Sequence, residues 1–424
     1  MWLVERSHED EMYDLLKGLR VVEGAAFVAA PTCALYMAQM GAEVIRFDNI
    51  GGGPDFRRWP LAPSGESLYW EALNKGKKSV AIDLSSPRGR EIAQALAAAP
   101  GEQGGLFVTN FPVEGFLSYE KLSALRSDLI CMRVMGWADG SQGMDYTINA
   151  ALGLPLMTGP ADDPRPVNHV LAAWDLLTGA YGAFALVSAL LARTRDGKGR
   201  EIRLPLSDVG AATMANLGFV AEALDTGRQR PRMGNDVFGA FGRDFTTKDG
   251  VKLMVLAITP KQWSKALDAL AINPQVAALE VELGVSFATD EGLRFAHRDR
   301  LGAIFDAAFA VRTAAELTPA FDAGGVTWGS YQALETALDD TRLYKGNPVF
   351  ETVKGPSGMS YPTPGAMGSI PQDVRLPVQP APRLGQHTDE VLAEVLGLPT
   401  GEIGRLHDAG VVQSPSRTME GRGA

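Results

Sequence analysis

Cysteine and histidine are scarce in this chain, with two Cys and five His among 424 residues. Cys33 and Cys131 cannot build a disulfide framework and do not have metal-site spacing, so each reads as a small buried apolar residue. His8, His169, His297, His387 and His407 are scattered without a ligand pattern such as His-x-x-x-His, and no metal is expected. No Gly-x-Ser-x-Gly elbow is present and Cys33 has no evident histidine partner, which leaves a hydrolase triad without support. Apolar runs such as 186–192 fall far short of the roughly 20 residues that span a bilayer, so no membrane segment is expected. The N-terminus carries Glu5, Glu9, Asp10 and Glu11 where a signal peptide needs a basic start and an apolar stretch. A cytoplasmic location is expected. Positive charge is in deficit as well: the net charge of −10 repels polyanions and argues against a nucleic-acid partner.

What is present is enough apolar sequence, 46%, for more than one core. Residues 19–23, 31–41 and 43–48 read as strand, helix, strand, with Pro31 in the first helical turn and Gly41 at the cap. The alternation continues through a strand at 79–84, a helix entered at Ser86-Pro87 and running to Ala99, and strands at 105–110 and 128–136. This is the opening of a doubly wound, parallel α/β domain. Helical spacing returns at 174–195, followed by a strand at 201–205. Residues 252–323 read as a smaller α/β unit. The Pro- and Gly-rich stretch 345–382 lacks core periodicity and is expected to wrap over a surface or a partner. The expected division is 1–215 for the first part of the large domain, 225–330 for the small one, and 331–424 for an extended link and return.

An acidic residue ends the second strand, as it does in a dinucleotide site. The turn Glu23-Gly24-Ala25-Ala26-Phe27-Val28-Ala29-Ala30-Pro31 lacks the later glycines that admit a pyrophosphate. Positive charge gathers at 46–78 instead, in Arg46, Arg57, Arg58 and Asn74-Lys75-Gly76-Lys77-Lys78-Ser79. That suits a phosphate-bearing ligand or a solvated basic edge. Asn110-Phe111-Pro112 ends a strand where open α/β sheets bind ligands. Asp175 starts a long apolar helix, as an N-cap or as a partly desolvated nucleophile beside Trp174.

Taken in order, Leu19-Arg20-Val21-Val22-Glu23, Pro31, Gly41-Ala42-Glu43-Val44-Ile45-Arg46, 74–83, Asn110-Phe111-Pro112, Gly136, Asp175 and Leu384-Gly385-Gln386-His387-Thr388 resemble the class III CoA-transferases over about residues 18–412. The resemblance implies a Rossmann-like large domain built from both ends of the chain, a smaller α/β domain, and an interlocked homodimer. It implies an acyl-CoA and a dicarboxylic acid as substrates, with no cofactor beyond the CoA of the substrate. CoA contacts carry over to Phe27, Val28, Ala29, Arg46, Lys77, Asn110 and Phe111, and the catalytic aspartate to Asp175. The chain departs from the pattern where 113–118 lacks a basic residue and where Met135 stands in place of a lysine. Gly143-Met144-Asp145 replaces the Gly-His-Asp of the family's racemases, and methionine carries no proton, so racemisation is disfavoured. The runs 165–170 and 234–244 are most similar to members that shift CoA between the two carboxyl groups of one C5 diacid. By the same resemblance, backbone N–H groups around Gly239 and Gly242 shield or stabilise intermediates, and Asn168, His169 and Arg243 are candidates to hold the second carboxylate. The competing readings are intermolecular CoA transfer, a nicotinamide-dependent oxidoreductase and a silent CoA-binding protein.

Overall fold

In the computed structural model, which describes residues 13–415, the chain divides into two compact units. The acidic N-terminal stretch and His8 lie outside the described residues. The larger unit holds 13–152, 169–218 and 346–415, and the smaller holds 153–168 and 219–345. In chain order the strands of the first sheet are β1 (Arg20–Gly24), β2 (Glu43–Asn49), β3 (Lys78–Ile82), β4 (Leu106–Thr109), β5 (Ile130–Met135) and β6 (Arg200–Pro205). Then come β7 (Phe241–Thr246), β8 (Lys252–Ala257) and β9 (Thr327–Ser330) in a second sheet, the hairpin β10 (Phe350–Lys354) and β11 (Ser360–Pro364), and the short β12 (Val412–Gln413). The helices used below are α1 (Ala29–Gln39), α2 (Leu68–Asn74), α3 (Pro87–Ala97), α4 (Tyr119–Leu125), α5 (Asp145–Ala151), α6 (Leu154–Met157) and α7 (Ala173–Asp196).

The large sheet has the order β12-β3-β2-β1-β4-β5-β6, parallel except for β12. Its strands are apolar on both faces because helices cover both. Val22, Ile45, Phe47, Phe107 and Cys131 face a core shared with α3 and the helices near the C-terminus. Val21, Val44, Leu106, Val108, Ile130 and Met132 face the opposite core, formed with α1 and α7. Strand order reverses between β1 and β4, which opens a crevice at their carboxyl ends. The expected parallel α/β layout is therefore present, with Ser86 capping α3 through its Oγ, 3.0 Å from Gly89 N, as Ser86-Pro87 suggested.

Across that core α7 lies against α1 so closely that a side chain at Gly179 would meet Thr32 Cβ at 2.7 Å and the Ala29 carbonyl at 2.8 Å. Only glycine allows this crossing. By length and composition α7 is apolar enough to cross a bilayer, a feature hidden in sequence by its division into short runs. In the fold Trp174, Thr178, Gly182, Leu186 and Ala189 are buried, while Leu177, Tyr181, Phe184 and Leu191 form an exposed stripe.

The closing Gly385-Gln386-His387-Thr388 is an edge fastener. Ala81 N donates to Thr388 Oγ1 at 3.1 Å, Ser79 N to His387 Nδ1 at 3.0 Å, and Thr388 Oγ1 to the Gln413 carbonyl at 2.8 Å. These bonds bring β12 antiparallel to β3. The 345–382 stretch also contains the β10–β11 hairpin, a regular element the sequence reading missed. Buried Glu71 of α2 holds its turn by accepting from Ser357 N at 2.6 Å, Ser357 Oγ at 3.0 Å and Tyr361 Oη at 3.2 Å.

The smaller unit packs helices on the antiparallel sheet β7-β8-β9 around an aromatic core of Phe241, Phe245, Trp263, Phe305, Phe309 and Phe321. Its extent differs from the 225–330 expected. Residues 153–168 belong to it because the Arg232 guanidinium donates to the carbonyls of Pro155, Leu156 and Asp163. Residues 331–345 belong to it too, where Tyr331 N reaches the Lys252 carbonyl at 3.0 Å and Arg342 lies over Trp328.

Candidate active site

The crevice of the large unit is a cleft of about 860 Å³. Its walls are the β1–α1 turn (26–29), the chain after β4 (110–114), the loop 138–144 after β5, Asp175, and Arg203 with Leu206 from the end of β6. Phe27, Val28, Ala29, Asn110, Phe111 and Asp175 all face this cleft. Phe27 holds φ at +70°, a left-handed conformation unusual for a non-glycine residue. Two clamps impose it: Asp55 Oδ2 accepts from Phe27 N at 3.0 Å, and the Asn110 side-chain amide both accepts from Ala26 N at 3.1 Å and donates to the Ala26 carbonyl at 2.9 Å. The Asn110 amide thus braces the turn.

Arg46 and Lys77, carried over as CoA contacts, do not line the cleft. Both are fully buried. Arg46 donates to both Asp48 oxygens at 2.8 Å, to Glu23 at 3.1 Å and to Asp55 at 3.2 Å, while Lys77 Nζ reaches Glu23 at 2.7 Å and the Pro31 carbonyl at 3.0 Å. Burial pulls the Lys77 ammonium down from its ordinary range, and Glu23 opposes that pull. Three carboxylates around two cations make a structural network that reaches the cleft only through Asp55 and the Phe27 turn. The sequence shows that these residues are charged and hides the partners that neutralise them.

Asp175 sits in the first turn of α7 but is not its cap. The N-cap is Ala172, which offers no side-chain acceptor. The capping bonds come from Asp145, buried at the start of α5, whose Oδ2 accepts from Trp174 N at 2.7 Å and Asp175 N at 3.2 Å. Asp145 Oδ1 lies 2.7 Å from His169 Nε2, and Trp174 Nε1 donates to Asn149 at 3.2 Å. This borrowed cap leaves the Asp175 carboxylate available to the cleft. Burial, with the neighbouring Asp145 charge second, pushes Asp175 from its ordinary 3.8 up to about 7, while Arg58 pulls the other way. Arg58 also stacks over Phe27 and Tyr69, at 5.9 and 5.4 Å from their ring centres. Neither the cap given by Asp145 nor the approach of Arg58 had a local signal in the sequence. The α1 and α7 N-termini both border the cleft, where backbone N–H groups favour negative charge.

The remaining candidates lie elsewhere in the chain. His169 is held by Asp145 and meets Tyr146 edge to face at 5.7 Å. Asn168, Gly239, Gly242 and Arg243 fall in the smaller unit. There Gly239 adopts φ +77° in the turn before β7, and Gly242 packs on the Val255 carbonyl so tightly that a side chain would approach it to 2.9 Å. Arg243 pairs with Asp306 at 2.5 Å and stacks on Phe245. Among the described residues no cluster of three His, Cys, Asp or Glu side chains is placed to hold a metal.

A two-faced parallel sheet, a crevice at its switch point and a cleft-facing carboxylate at a helix head are the features of an α/β ligand-binding domain. Comparison with known proteins gives it a family: residues 16–388 match CoA-transferase family III, and the chain belongs to that family. It is 48% identical over 408 residues to 2-methylfumaryl-CoA isomerase of Chloroflexus aurantiacus, covering 96% of this chain and 100% of that one. It is 29% identical to succinate–glutarate CoA-transferase of Agrobacterium fabrum, over 90% of this chain and 95% of the relative. A crystal structure of a CaiB/BaiF family protein from Brucella suis matches with a TM-score of 0.73 at 26% identity, over 90% of this chain and 99% of that one.

Proposed function

We propose that this enzyme moves CoA between the C1 and C4 carboxyl groups of 2-methylfumarate, also called mesaconate, within one substrate molecule. The observation that carries the chemistry is Asp175: a cleft-facing carboxylate, relieved of capping by Asp145 and raised to about 7. A raised carboxylate is more nucleophilic when ionised, and near neutral pH about half of it is ionised. The substrate rests on the 48% identity, along the whole relative, to a protein named for this isomerisation.

In the proposed sequence Asp175 attacks the thioester carbonyl and expels CoA thiolate, leaving an aspartyl–acyl anhydride. The thiolate attacks the aspartyl carbonyl, releasing the diacid carboxylate and forming an aspartyl–CoA thioester. The other carboxylate of the same diacid then attacks that thioester and again expels the thiolate. Attack of the thiolate on the acyl carbonyl of the new anhydride gives the isomer and restores Asp175. Each step makes one bond to a carbonyl carbon and breaks one, and no water or outside acid takes part. Negative charge on each tetrahedral oxygen is met by the α1 and α7 helix heads. In this proposal Arg58, the cation that acts on Asp175, receives the second carboxylate, since Arg243 is already paired with Asp306. We also propose a homodimer, in which a second copy covers the Leu177, Tyr181, Phe184 and Leu191 stripe of α7.

The test converts mesaconyl-C1-CoA in the presence of labelled free mesaconate, with Asp175→Ala beside the unaltered enzyme. Isomer without label, lost in the variant, is the expected result. Label uptake would favour the intermolecular reaction named for the Agrobacterium relative, and no conversion by folded enzyme would remove the substrate assignment.

A further inference from the structure

Coenzyme A brings a polyanionic end into any cleft that binds it, yet the walls of this cleft carry Glu114, Asp139 and Asp175. Arg203 is the one cation among its lining residues. It stands on the edge strand β6 with its side chain 55% exposed. Its aim is fixed from below. Glu201 Oε2 accepts from Arg203 Nε at 2.8 Å and its Oε1 from Arg133 Nε at 3.0 Å. The Arg133 guanidinium is buried and fully used on the carbonyls of Phe111, Pro112 and Leu117, at 2.7 to 2.8 Å. The Arg133–Glu201–Arg203 line therefore has one net positive charge, and its outer end is the Arg203 fork, whose Nη atoms donate to no other described residue.

Position selects the ligand group. The turn after β1 and Arg203 on β6 lie at opposite ends of the run β1-β4-β5-β6, three strand spacings or roughly 14 Å apart. Coenzyme A is long enough to bridge that separation, and its phosphates are the anionic groups it brings to the cation there. We propose that Arg203, oriented by Glu201, is the phosphate-binding residue of this cleft, supplying the charge that 113–118 and Met135 do not. The proposal rests on the reading of the cleft as a CoA site.

Binding by isothermal titration separates the two. CoA, 3′-dephospho-CoA and pantetheine are titrated into the unaltered protein, Arg203→Gln and Arg203→Lys, with folding of each checked by circular dichroism. Loss of one charge-assisted hydrogen bond predicts a CoA Kd about 10- to 100-fold higher in Arg203→Gln, a smaller rise in Arg203→Lys, and no change for pantetheine. In turnover the variant raises KM and leaves kcat. If the Arg203→Gln effect disappears with dephospho-CoA, the bound group is the 3′-phosphate; if it persists, the diphosphate. Equal CoA affinity in folded Arg203→Gln overturns the role of Arg203 alone, and a wild type that binds no CoA overturns the CoA reading itself.

Discussion

Replacing Asp175 by asparagine should abolish activity and make the protein more stable at neutral pH. In the folded chain the carboxyl titrates near 7, against 3.8 ordinarily. Because the folded value is the higher one, the group contributes no penalty below pH 3.8, and stability is lost as pH rises to about 7. Each unit of that difference is worth about 1.36 kcal/mol, so the full penalty is roughly 4 kcal/mol above pH 7 and roughly 2 kcal/mol at pH 5.5. Asparagine has the same shape and no charge. Urea unfolding of both proteins at pH 4, 5.5 and 8 should therefore show a gain that is near zero at the first, intermediate at the second and largest at the third. A variant no more stable than wild type at pH 8, or one with the same gain at all three, would refute the argument that burial and Asp145 raise this carboxyl. The enzyme's rate should fall toward acid with an apparent pKa near 7, since the protonated form is not a nucleophile.

Asp145→Ala removes the acceptor for two α7 amides and should cost about 1–2 kcal/mol, while Asp145→Asn keeps it. Both should move the acid limb of the kcat profile to lower pH, and an unmoved limb contradicts the electrostatic role of Asp145. Arg46→Met strands Asp48 and Asp55 in the interior and leaves Glu23 to Lys77 alone, and should lower stability in urea by about 3–5 kcal/mol, a loss that a surface CoA contact would not produce. Gly179→Val drives a side chain into Thr32 and the Ala29 carbonyl and should cost about 1–3 kcal/mol or more by the same assay. Phe184→Glu charges the exposed stripe of α7, and the proposed homodimer predicts that sedimentation reports monomers for this variant and dimers for the unaltered protein.

The parallel strands were legible because burial on both faces writes them as short apolar runs between turn residues: Val21-Val22, Val44-Ile45 and Leu106-Phe107-Val108 need no tertiary information. Asp175 was legible by position at a helix head beside Trp174 and by resemblance. What was not legible depends on partners far along the chain. Arg46 and Lys77 look like a surface cluster until Glu23 and Asp55 are placed against them. Asp145 caps a helix that begins 28 residues later, and nothing near either residue announces it. β12 has two residues and an antiparallel partner more than 300 positions away, too little pattern for any periodicity argument. Residues 153–168 look continuous with the large unit, whereas the three carbonyls gathered by Arg232 and the bond from Gly234 N to the Gly159 carbonyl tie them to the smaller one.

The edge fastened by Thr388 and β12 sets an order of events during synthesis. Of the smaller unit, 219–345 is one continuous stretch and emerges from the ribosome as a body, with 153–168 already available to it. The larger unit has its first six strands made early, but the edge of β3 stays open until residues 385–413 have been translated. For the time it takes to make more than 300 residues, β3 presents unpaired backbone groups of the kind that recruit other chains. The late segment therefore acts as a latch on a nascent protein, and truncation before residue 385 should yield aggregates even though the cleft residues are all present.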